Sequence, residues 1–424
     1  MKMYLKLAAE TALSLALMAG SAFAIPNTTQ KGSLMIFPLV DVQGNNDTII
    51  RIENDGTRTV WVECYMKNAS KASSDFAFSL TRGASTSFSM VDKGFKGLTH
   101  GKLYPWPKFQ DDERGELKCF AVDTNIGAQI YYNHLSGTAT VVDYDRQQTF
   151  EYNSWNFRAL NPPPTSPGKS GLKEGDPVGK AGTIKLDGVE YDACPQYLKF
   201  TYVKPGASEG VSPHTLVAGD TRIVVASCTQ DLRQEKVPSF TKLQFTIIDA
   251  NEQPLSESYD CINSWRYTAL NEIDHNYRNF TDNLKTTTAL VRVRGVKAKK
   301  ATAPDDCWTW AEAPPWVNPG DDGTSYPQIL PDWARVKDAG LVGIVLRDVC
   351  TARSTVAPLD VSPEPSYPAD CNLPWEEAQQ VVTDVTAVAM NTAGKDRPVG
   401  NPPAAGTFDV IRWDPERPPA GAKN

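Results

Sequence analysis

The residues that could carry out catalysis are few and scattered along the chain. The histidines are isolated from one another in sequence, at His100, His134, His214 and His275. Adjacent acids occur in loops, but a glycosidase needs two carboxylates held about 5–10 Å apart across a cleft. The sequence also lacks the nucleophile-elbow, zinc-protease, phosphate-loop and dinucleotide fingerprints. We therefore predict no catalytic residue and a protein that is not an enzyme.

Calcium is the one metal that the sequence could accommodate. Asp41, Asn45 and Asp47 lie in a short stretch of oxygen-bearing side chains, and Asp321 and Asp322 belong to a second. Loops of this kind bind Ca²⁺ in extracellular β-domains, although neither follows the EF-hand spacing. Asp and Asn are also ordinary turn residues, so a purely structural role is the alternative. We predict no other cofactor.

A tryptophan-rich segment is the candidate binding surface. Residues 301–338 lack strand or helix periodicity and contain Trp308, Trp310, Trp316 and Trp333. Exposed indoles there would form a recognition surface for a glycan or a protein. The alternative is a loop that lies across the second domain and extends its core.

The eight cysteines predict a disulfide framework, because their number is even and all follow the first 24 residues. None has the C-x-x-C spacing of a zinc or redox site. Their placement predicts the pairs Cys64–Cys119, Cys228–Cys261 and Cys350–Cys371, and leaves Cys194 and Cys307 without an assigned partner. Scattered buried thiols are the alternative.

The N-terminus has the form of a bacterial export signal. Lys2 and Lys6 precede an apolar stretch at 11–19 that is too short to span a bilayer. Ala22-Phe23-Ala24 is a small-x-small cleavage site, which predicts a signal peptide at 1–24. An N-terminal anchor helix is the alternative. We expect a protein of the periplasm, the cell surface or the medium, with no membrane span after cleavage.

Composition and periodicity predict a globular all-β protein. The chain is 41% hydrophobic and 22% charged, with a net charge of −7 and no basic run, which argues against a nucleic-acid partner. Short alternating runs bounded by turn residues are typical of strands, with hairpins expected at Asp55-Gly56 and Arg82-Gly83. Apolar residues at helical spacing predict one helix from Asn372 to Met390.

These elements predict two tandem β-sandwich domains, at 25–165 and 183–360. A Pro- and Gly-rich linker or long loop at 166–182 joins them, and 301–338 is an insertion loop of the second. Residues 361–424 hold the short helix and a Pro-rich tail.

An internal repeat supports this duplication. NSWNFRALN at 153–161 recurs as NSWRYTALN at 263–271, a separation of about one sandwich domain. Trp155 and Trp265 occupy equivalent positions. They could form an aromatic ligand platform used twice, but we favour buried core residues because large aromatic side chains dominate core energetics.

The segments at 51–68 (RIENDGTRTVWVECYMKN) and 76–88 (FAFSLTRGASTSF) resemble immunoglobulin-like β-sandwiches of bacterial secreted and cell-surface proteins. The whole chain resembles an uncharacterised family of exported bacterial proteins, through KGSLMIFP at 31–38 and CTQDL at 228–232. The resemblance implies that the two tandem β-sandwich domains are immunoglobulin-like and that the protein is exported, and it implies no catalytic residue.

We therefore expect a secreted or cell-surface, non-enzymatic protein for binding, adhesion or extracellular assembly. Its partner would be a surface polymer, a glycan or a protein, including another copy that pairs through an exposed strand edge. The alternative is a secreted glycan-acting hydrolase whose active site is built from the loops at 91–114 and 301–338.

The exported protein should begin at Ile25. Ala24→Leu should block cleavage because the peptidase requires a small residue at that position, whereas Phe23→Leu at the neighbouring permissive position should not. N-terminal sequencing and intact mass of the exported fraction measure this. An exported chain that retains residues 1–24 would contradict the prediction.

Overall fold

The computed structural model describes residues 26–68, 73–90, 114–145, 148–160, 171–204, 208–209, 214–232, 240–255, 258–273, 284–296, 340–353, 378–383, 386–388 and 406–409. Over these ranges the chain forms strands in four sheets and one short 3-10 helix, η1 (Leu270–Glu272), with no α-helix. The fold is therefore all-β, as the alternating runs predict.

Residues 26–160, the N-terminal half, form two antiparallel sheets. Their strands are β1 (Leu34–Asp41), β2 (Asn46–Asn54), β3 (Val60–Asn68), β4 (Ser73–Leu80), β5 (Ser85–Ser89), β6 (Arg114–Asp123), β7 (Ala128–Gln129), β8 (Leu135–Asp143), β9 (Gln148–Asn153) and β10 (Trp155–Phe157). Sheet A has the order β10-β1-β6-β3-β4, with β7 beside β6, and sheet B has the order β5-β2-β8-β9. The pairing of β1 with β6 shifts between Phe37 and Val40, a bulge at Pro38, which has no N–H to donate to the ladder.

Sheets A and B pack face to face around an apolar core. Phe88 of β5 lies edge-on to Phe76 and Phe78 of β4, with ring centroids 5.7 and 5.9 Å apart. The ring of Phe37 lies against Gly137 of β8, where a Cβ would come within 2.6 Å of it. Glycine at 137 therefore allows the two sheets to approach closely.

Both predicted hairpins of this half are wrong. β2, before Asp55-Gly56, lies in sheet B, whereas β3 lies in sheet A. In the same way, Arg82-Gly83 joins β4 of sheet A to β5 of sheet B. The turn residues mark the chain reversals correctly, but each reversal crosses from one sheet to the other.

The buried side chain of Asn54 stabilises the first crossing. Its amide nitrogen donates to the carbonyl oxygens of Arg58 (3.0 Å) and Thr81 (3.1 Å), while its oxygen accepts from the Gly56 N–H (2.9 Å) and the Tyr132 hydroxyl (2.7 Å). One asparagine thus satisfies backbone groups from two separate crossings at the rim of the sandwich.

The remaining strands are β11 (Thr183–Leu186), β12 (Tyr197–Val203), β13 (Ser208–Glu209), β14 (His214–Ser227), β15 (Gln230–Asp231), β16 (Phe240–Asp249), β17 (Ser258–Asn263), β18 (Trp265–Ala269), β19 (Thr288–Val296), β20 (Leu341–Arg353), β21 (Ala378–Thr383), β22 (Thr386–Val388) and β23 (Gly406–Asp409). Sheet C, which defines the C-terminal half, has the order β21-β20-β14-β18-β17-β16-β19-β12-β22, with β13 beside β14. A Cβ on Gly343 of β20 would lie 3.2 Å from the Leu198 side chain of β12. The two strands are far apart in the sheet order, so sheet C curls back over itself.

The predicted C-terminal helix is wrong in the part that the structure describes. Residues 378–383 and 386–388 form β21 and β22, and β21 pairs with β20 from Val345–Thr383 to Cys350–Ala378. Val381, Val382 and Thr383 are β-branched, and such side chains favour strands over helices. Pairing with β20 therefore outweighs the helical spacing of the apolar residues.

Sheet D consists of β11-β23-β15, with β23 antiparallel to β11 and parallel to β15. The loop at 171–182 leads into β11 along the N-terminal half. There the buried Gln129 amide nitrogen donates to the carbonyl oxygens of Val178 (2.6 Å), Lys180 (2.8 Å) and Thr183 (2.9 Å).

Two disulfides are present in the described part of the chain. Cys64 and Cys119 occupy directly opposed positions on β3 and β6, with Cα atoms 4.1 Å apart, which confirms the predicted pair. The bridge joins neighbouring strands of sheet A, not two facing sheets.

Cys228 pairs with Cys194, so the predicted Cys228–Cys261 pair is wrong. The Cys228 N–H donates to the carbonyl of Gly340 (2.9 Å), and a Cβ on Gly340 would lie 2.5 Å from the Cys194 sulfur. The start of β20 therefore brings Cys194 and Cys228 together. Cys307 and Cys371 lie outside the described residues, so the Cys350–Cys371 pair stays a prediction.

Sheet A is buried on both faces. Cross-strand partners share a face, so Val62, Cys64 and Cys119 face sheet B. The opposite face carries Tyr65, Lys118 and Trp155 and lies against the C-terminal half; Tyr65 and Lys118 are each 1% exposed. Sheet A is thus the central layer of the molecule.

The repeated Asn-Ser-Trp segment has the same order of strand, break and strand in both copies, although β9 and β10 lie in different sheets whereas β17 and β18 are neighbours in sheet C. In each copy one strand ends at the Asn, a buried Ser interrupts the strand structure, and a new strand begins at the Trp. The Trp155 indole N–H donates to the carbonyl of Gly343 in the C-terminal half (3.0 Å). Reciprocally, the Trp265 N–H donates to the carbonyl of Pro38 in the N-terminal half (2.6 Å). Both indoles are buried, at 3% and 8% exposed, so the ligand-platform interpretation is wrong and they join the two halves.

Trp155→Phe and Trp265→Phe should each lower the free energy of unfolding by about 1–3 kcal/mol, because a buried carbonyl loses its donor. Urea unfolding of both single variants and the double variant measures this. Trp61→Phe, the same change at a half-buried site of sheet A, is the control. Equal stability of all variants would show that the two bonds do not hold the halves together.

Candidate functional site

A polar cleft of about 390 Å³ lies between the two halves, a size and place typical of ligand sites. The N-terminal half contributes the β1–β2 loop and the ends of β6, β8 and β9. The C-terminal half contributes single side chains of β14, β18 and β20. The lining residues are Asp41, Gln43, Gly44, Asn45, Asn46, Arg114, Val141, Asp143, Asp145, Phe150, Arg222, Tyr267 and Leu346.

The pairing of β14 with β18 and β20 explains which side chains of the C-terminal half line the cleft. Arg222 of β14 pairs with Leu346 of β20, and Val224 pairs with Tyr267 of β18. Residues 222 and 224 share a face of the strand, so Arg222, Leu346 and Tyr267 lie on the same face of sheet C. Trp265, two residues before Tyr267, lies on that face as well. The indole that joins the halves therefore also positions the phenol of the cleft.

Arg114 connects the two walls of the cleft. Its Nε lies 2.7 Å from the Asp41 carboxylate, whose other oxygen accepts from the Gln43 N–H (3.0 Å). The Arg114 guanidinium also lies over the Tyr267 ring, 4.2 Å from its centroid. This arginine is held by an ion pair in one half and by a ring of the other, so its charge is largely balanced before any ligand binds.

The β1–β2 loop and the β8–β9 loop, which form the rim of the cleft, are hydrogen-bonded to each other. The Asn45 amide nitrogen donates to the Asp145 carboxylate (2.9 Å), and the Tyr144 N–H donates to the Asn45 carbonyl (3.3 Å). Asp143 and Asn46 are cross-strand partners on β8 and β2. The rim is therefore an ordered set of carboxylate and amide groups.

Of the first predicted calcium group, Asp41 and Asn45 line the cleft, but Asp47 does not. Asp47 follows Asn46 on β2 and so lies on the other face of sheet B, where its carboxylate accepts from the Ser89 hydroxyl (2.6 Å). No group of three or more His, Cys, Asp or Glu side chains suited to a metal occurs in the described part of the chain. Asp321 and Asp322 lie outside it, as do Trp308, Trp310, Trp316 and Trp333.

Sequence reasoning missed most of the cleft. Arg114 and Arg222 begin or interrupt ordinary strand patterns, and nothing in the sequence marks them as neighbours of Asp41. Tyr267 could have been found, because it belongs to the repeat and shares the face of Trp265. The missing information was the contact between the halves.

A second polar group is fully buried. It lies on the face of sheet A that packs against the C-terminal half. Lys118 forms an ion pair with Glu116, and Gln230 of the C-terminal half donates to the other Glu116 oxygen. Burial lowers the pKa of Lys118 to about 8, although Glu116 opposes the change.

The neighbouring Glu63 is also buried, and the Tyr65 hydroxyl donates to its carboxyl oxygen (2.9 Å). Burial raises the pKa of Glu63 to about 8; the Tyr65 bond opposes this, and the charge of Asp75 adds to it. A carboxyl group that stays neutral at pH 7 is therefore part of the layer between the halves.

Comparisons with known proteins give little similarity. No protein-family model matches the chain, and no curated protein matches it. One solved structure, a "putative secreted protein" from Parabacteroides distasonis, is 11% identical, and the match covers 61% of this chain and 68% of that chain with a TM-score of 0.16. A likeness of this size supports no conclusion about fold or function. Among the described residues, none forms a helix with the length and apolar character needed to cross a membrane.

Glu63→Gln should flatten the pH dependence of stability between about pH 5 and 8. Glu63 stays protonated in the folded protein up to about pH 8 but ionises near its ordinary value of 4.5 once unfolded. Unfolding then releases a proton, so stability falls as pH rises, by at most about 1.4 kcal/mol per pH unit.

Urea unfolding at pH 5, 6, 7 and 8 measures how the free energy of unfolding changes per pH unit. This pH range ends near the pKa of Lys118. Glu53→Gln, at a side chain that is 40% exposed, is the control. An unchanged slope in Glu63→Gln would show that another group controls the pH dependence.

Proposed function

We propose that this chain is an exported, non-enzymatic β-protein that binds a polar ligand in the cleft between its halves. One observation carries the proposal: the cleft is lined by residues of both halves, with Arg114 and Asp41 facing Tyr267 and Arg222. Sites of this kind combine a few fixed polar groups with aromatic surface at a domain boundary. Binding there would contact both halves at once.

Two features support export. The leader-like N-terminus predicts it, and the two disulfides are typical of proteins that fold in an oxidising compartment. We assign the protein to the bacterial periplasm, cell surface or medium. The face-to-face packing of sheets A and B supports an immunoglobulin-like interpretation of the N-terminal half, and the repeat extends it to a tandem arrangement.

A secreted glycan-acting hydrolase is the second candidate, because Asp41, Asp143 and Asp145 share the cleft. Asp41 is already paired with Arg114 and Asp145 with Asn45, which favours binding over proton transfer. Release of reducing ends from a glycan, abolished in Asp143→Asn with binding retained, would favour the hydrolase.

The binding proposal predicts that at least one class of small polar molecule raises the melting temperature. The panel should contain neutral oligosaccharides, acidic oligosaccharides and short peptides, tested by thermal shift and then by calorimetry. Arg222→Ala should weaken binding of the active class at least about tenfold, roughly 1.4 kcal/mol.

Arg82→Ala removes the same charge from an exposed turn and should bind like the wild type. No stabilisation by any class, or equal binding by Arg222→Ala, would contradict the proposal.

A further inference from the structure

The outer face of sheet C carries a group of basic side chains. Along β12, β16 and β19, alternate residues such as Phe200, Phe245 and Val293 are buried in the core, so the residues between them face outward. Over these three strands, Tyr197–Val203, Phe240–Asp249 and Thr288–Val296, no outward position holds an acid, although the chain has a net charge of −7. The outward positions do hold the cations Lys199, Lys242, Arg292 and Arg294.

Strand pairing places these cations side by side. Lys199 and Arg292 are directly opposed on β12 and β19, so their Cβ atoms lie about 5 Å apart. Arg294 follows two residues later on β19 and is opposed by Gln244, which is two residues after Lys242 on β16. The positive charges therefore form one patch across three neighbouring strands, the basic face.

Neutral side chains hold the two arginines of the basic face in place. The Arg294 guanidinium donates to the Gln244 side-chain oxygen (2.7 Å) and to the Tyr197 hydroxyl (3.4 Å). The Arg292 guanidinium lies over the Tyr197 ring, 4.7 Å from its centroid. These contacts orient the guanidinium groups without cancelling their charge, whereas the cleft arginine, Arg114, is paired with a carboxylate.

An exposed apolar side chain adjoins the basic face. Leu290 precedes Arg292 by two residues, is 43% exposed and is opposed by Ile248 of β16. It is the one large exposed hydrophobic side chain that lies on a strand in the described part of the chain, since the others lie in turns or bends, at Ile126, Tyr144 and Val189. A soluble polyanion offers an aliphatic group no favourable contact, whereas the boundary between headgroups and acyl chains of a lipid layer does.

We propose that the basic face docks on an anionic phospholipid surface, with its cations on the lipid phosphates and Leu290 at the boundary with the acyl chains. Cations on a protein surface are attracted to an anionic leaflet within a Debye length, about 8 Å at physiological ionic strength. At that range the cations of the basic face act locally, and the acids elsewhere on the molecule are largely screened. The proposal goes beyond the proposed function, because it needs no ligand in the cleft.

Co-sedimentation of the mature chain with phosphatidylcholine vesicles, with and without an equal share of phosphatidylglycerol, tests this. We expect binding to the anionic vesicles only, and its loss at about 1 M salt, where the Debye length is about 3 Å. Arg292→Gln/Arg294→Gln should weaken that binding at least about tenfold, and Lys199→Gln, which leaves both arginines in place, roughly fivefold. Leu290→Ala should weaken it roughly threefold.

Two controls separate the basic face from charge in general and from the cleft. Arg51→Gln/Arg82→Gln removes the same number of charges from exposed sites of the N-terminal half and should bind as wild type does. Arg222→Ala, a cleft variant, should also leave vesicle binding unchanged, so the failure of this proposal and that of the proposed function are distinguishable. Urea unfolding verifies that each variant is folded.

Equal binding to neutral and anionic vesicles, no binding to either, or unchanged binding in both Lys199→Gln and the double arginine variant would overturn the proposal. Oligogalacturonate, a polyanion without acyl chains, probes the other class of partner. If it bound more tightly than the anionic vesicles, in a manner sensitive to the double arginine variant but not to Leu290→Ala, the basic face would belong to an acidic polysaccharide and the lipid surface would be wrong.

Discussion

Two indole N–H groups, each donated to a backbone carbonyl of the opposite half, define how this chain assembles. Trp155 reaches Gly343, and Trp265 reaches Pro38. Pro38 lies at the bulge of β1, where the pairing with β6 shifts, and Gly343 lies on β20 opposite Val225 of β14. Sheet A is covered on both faces. The face that lies against the C-terminal half therefore tolerates Glu63, Glu116 and Lys118 only as paired or neutral groups. The two indole bonds thus join the halves that enclose Glu63, Glu116 and Lys118.

The cleft is a direct product of that contact. Trp265 and Tyr267 share one face of β18, so burying the indole against Pro38 also brings the phenol over Arg114. The N-terminal half supplies carboxylates and amides from strand ends and the loops beside them, and the C-terminal half supplies Arg222 and Tyr267 on strands of a large sheet. A rigid wall facing a loop-built rim is a common arrangement for recognition, because the strands fix one set of contacts while the loops vary.

Much of the local structure follows from the sequence, and most of the long-range structure does not. Alternation correctly predicts strands such as β3 and β16, and the position of Cys64 and Cys119 before the Pro-rich stretch predicts their bridge. Asp55-Gly56 marks a reversal but cannot say which sheet the next strand joins, since that depends on the contacts of Asn54 with Arg58, Thr81 and Tyr132. Residues 378–383 carry both a helical apolar spacing and β-branched side chains, and their partner strand β20 decides between them. The cleft depends on the same kind of information, because Asp41 and Arg222 become neighbours only when the halves meet.

The central position of β23 in sheet D determines when this sheet can form as the chain emerges. β23, at residues 406–409, lies between β11 and β15 and is their common partner. A chain that emerges N-terminus first exposes residues 183–186 and 230–231 long before their partner is available. The N-terminal half can complete its sandwich early, whereas sheet D must wait until residues 406–409 have emerged. Until then the edges of β11 and β15 are open to pairing with other chains, so rapid arrival of β23 protects the chain against that pairing.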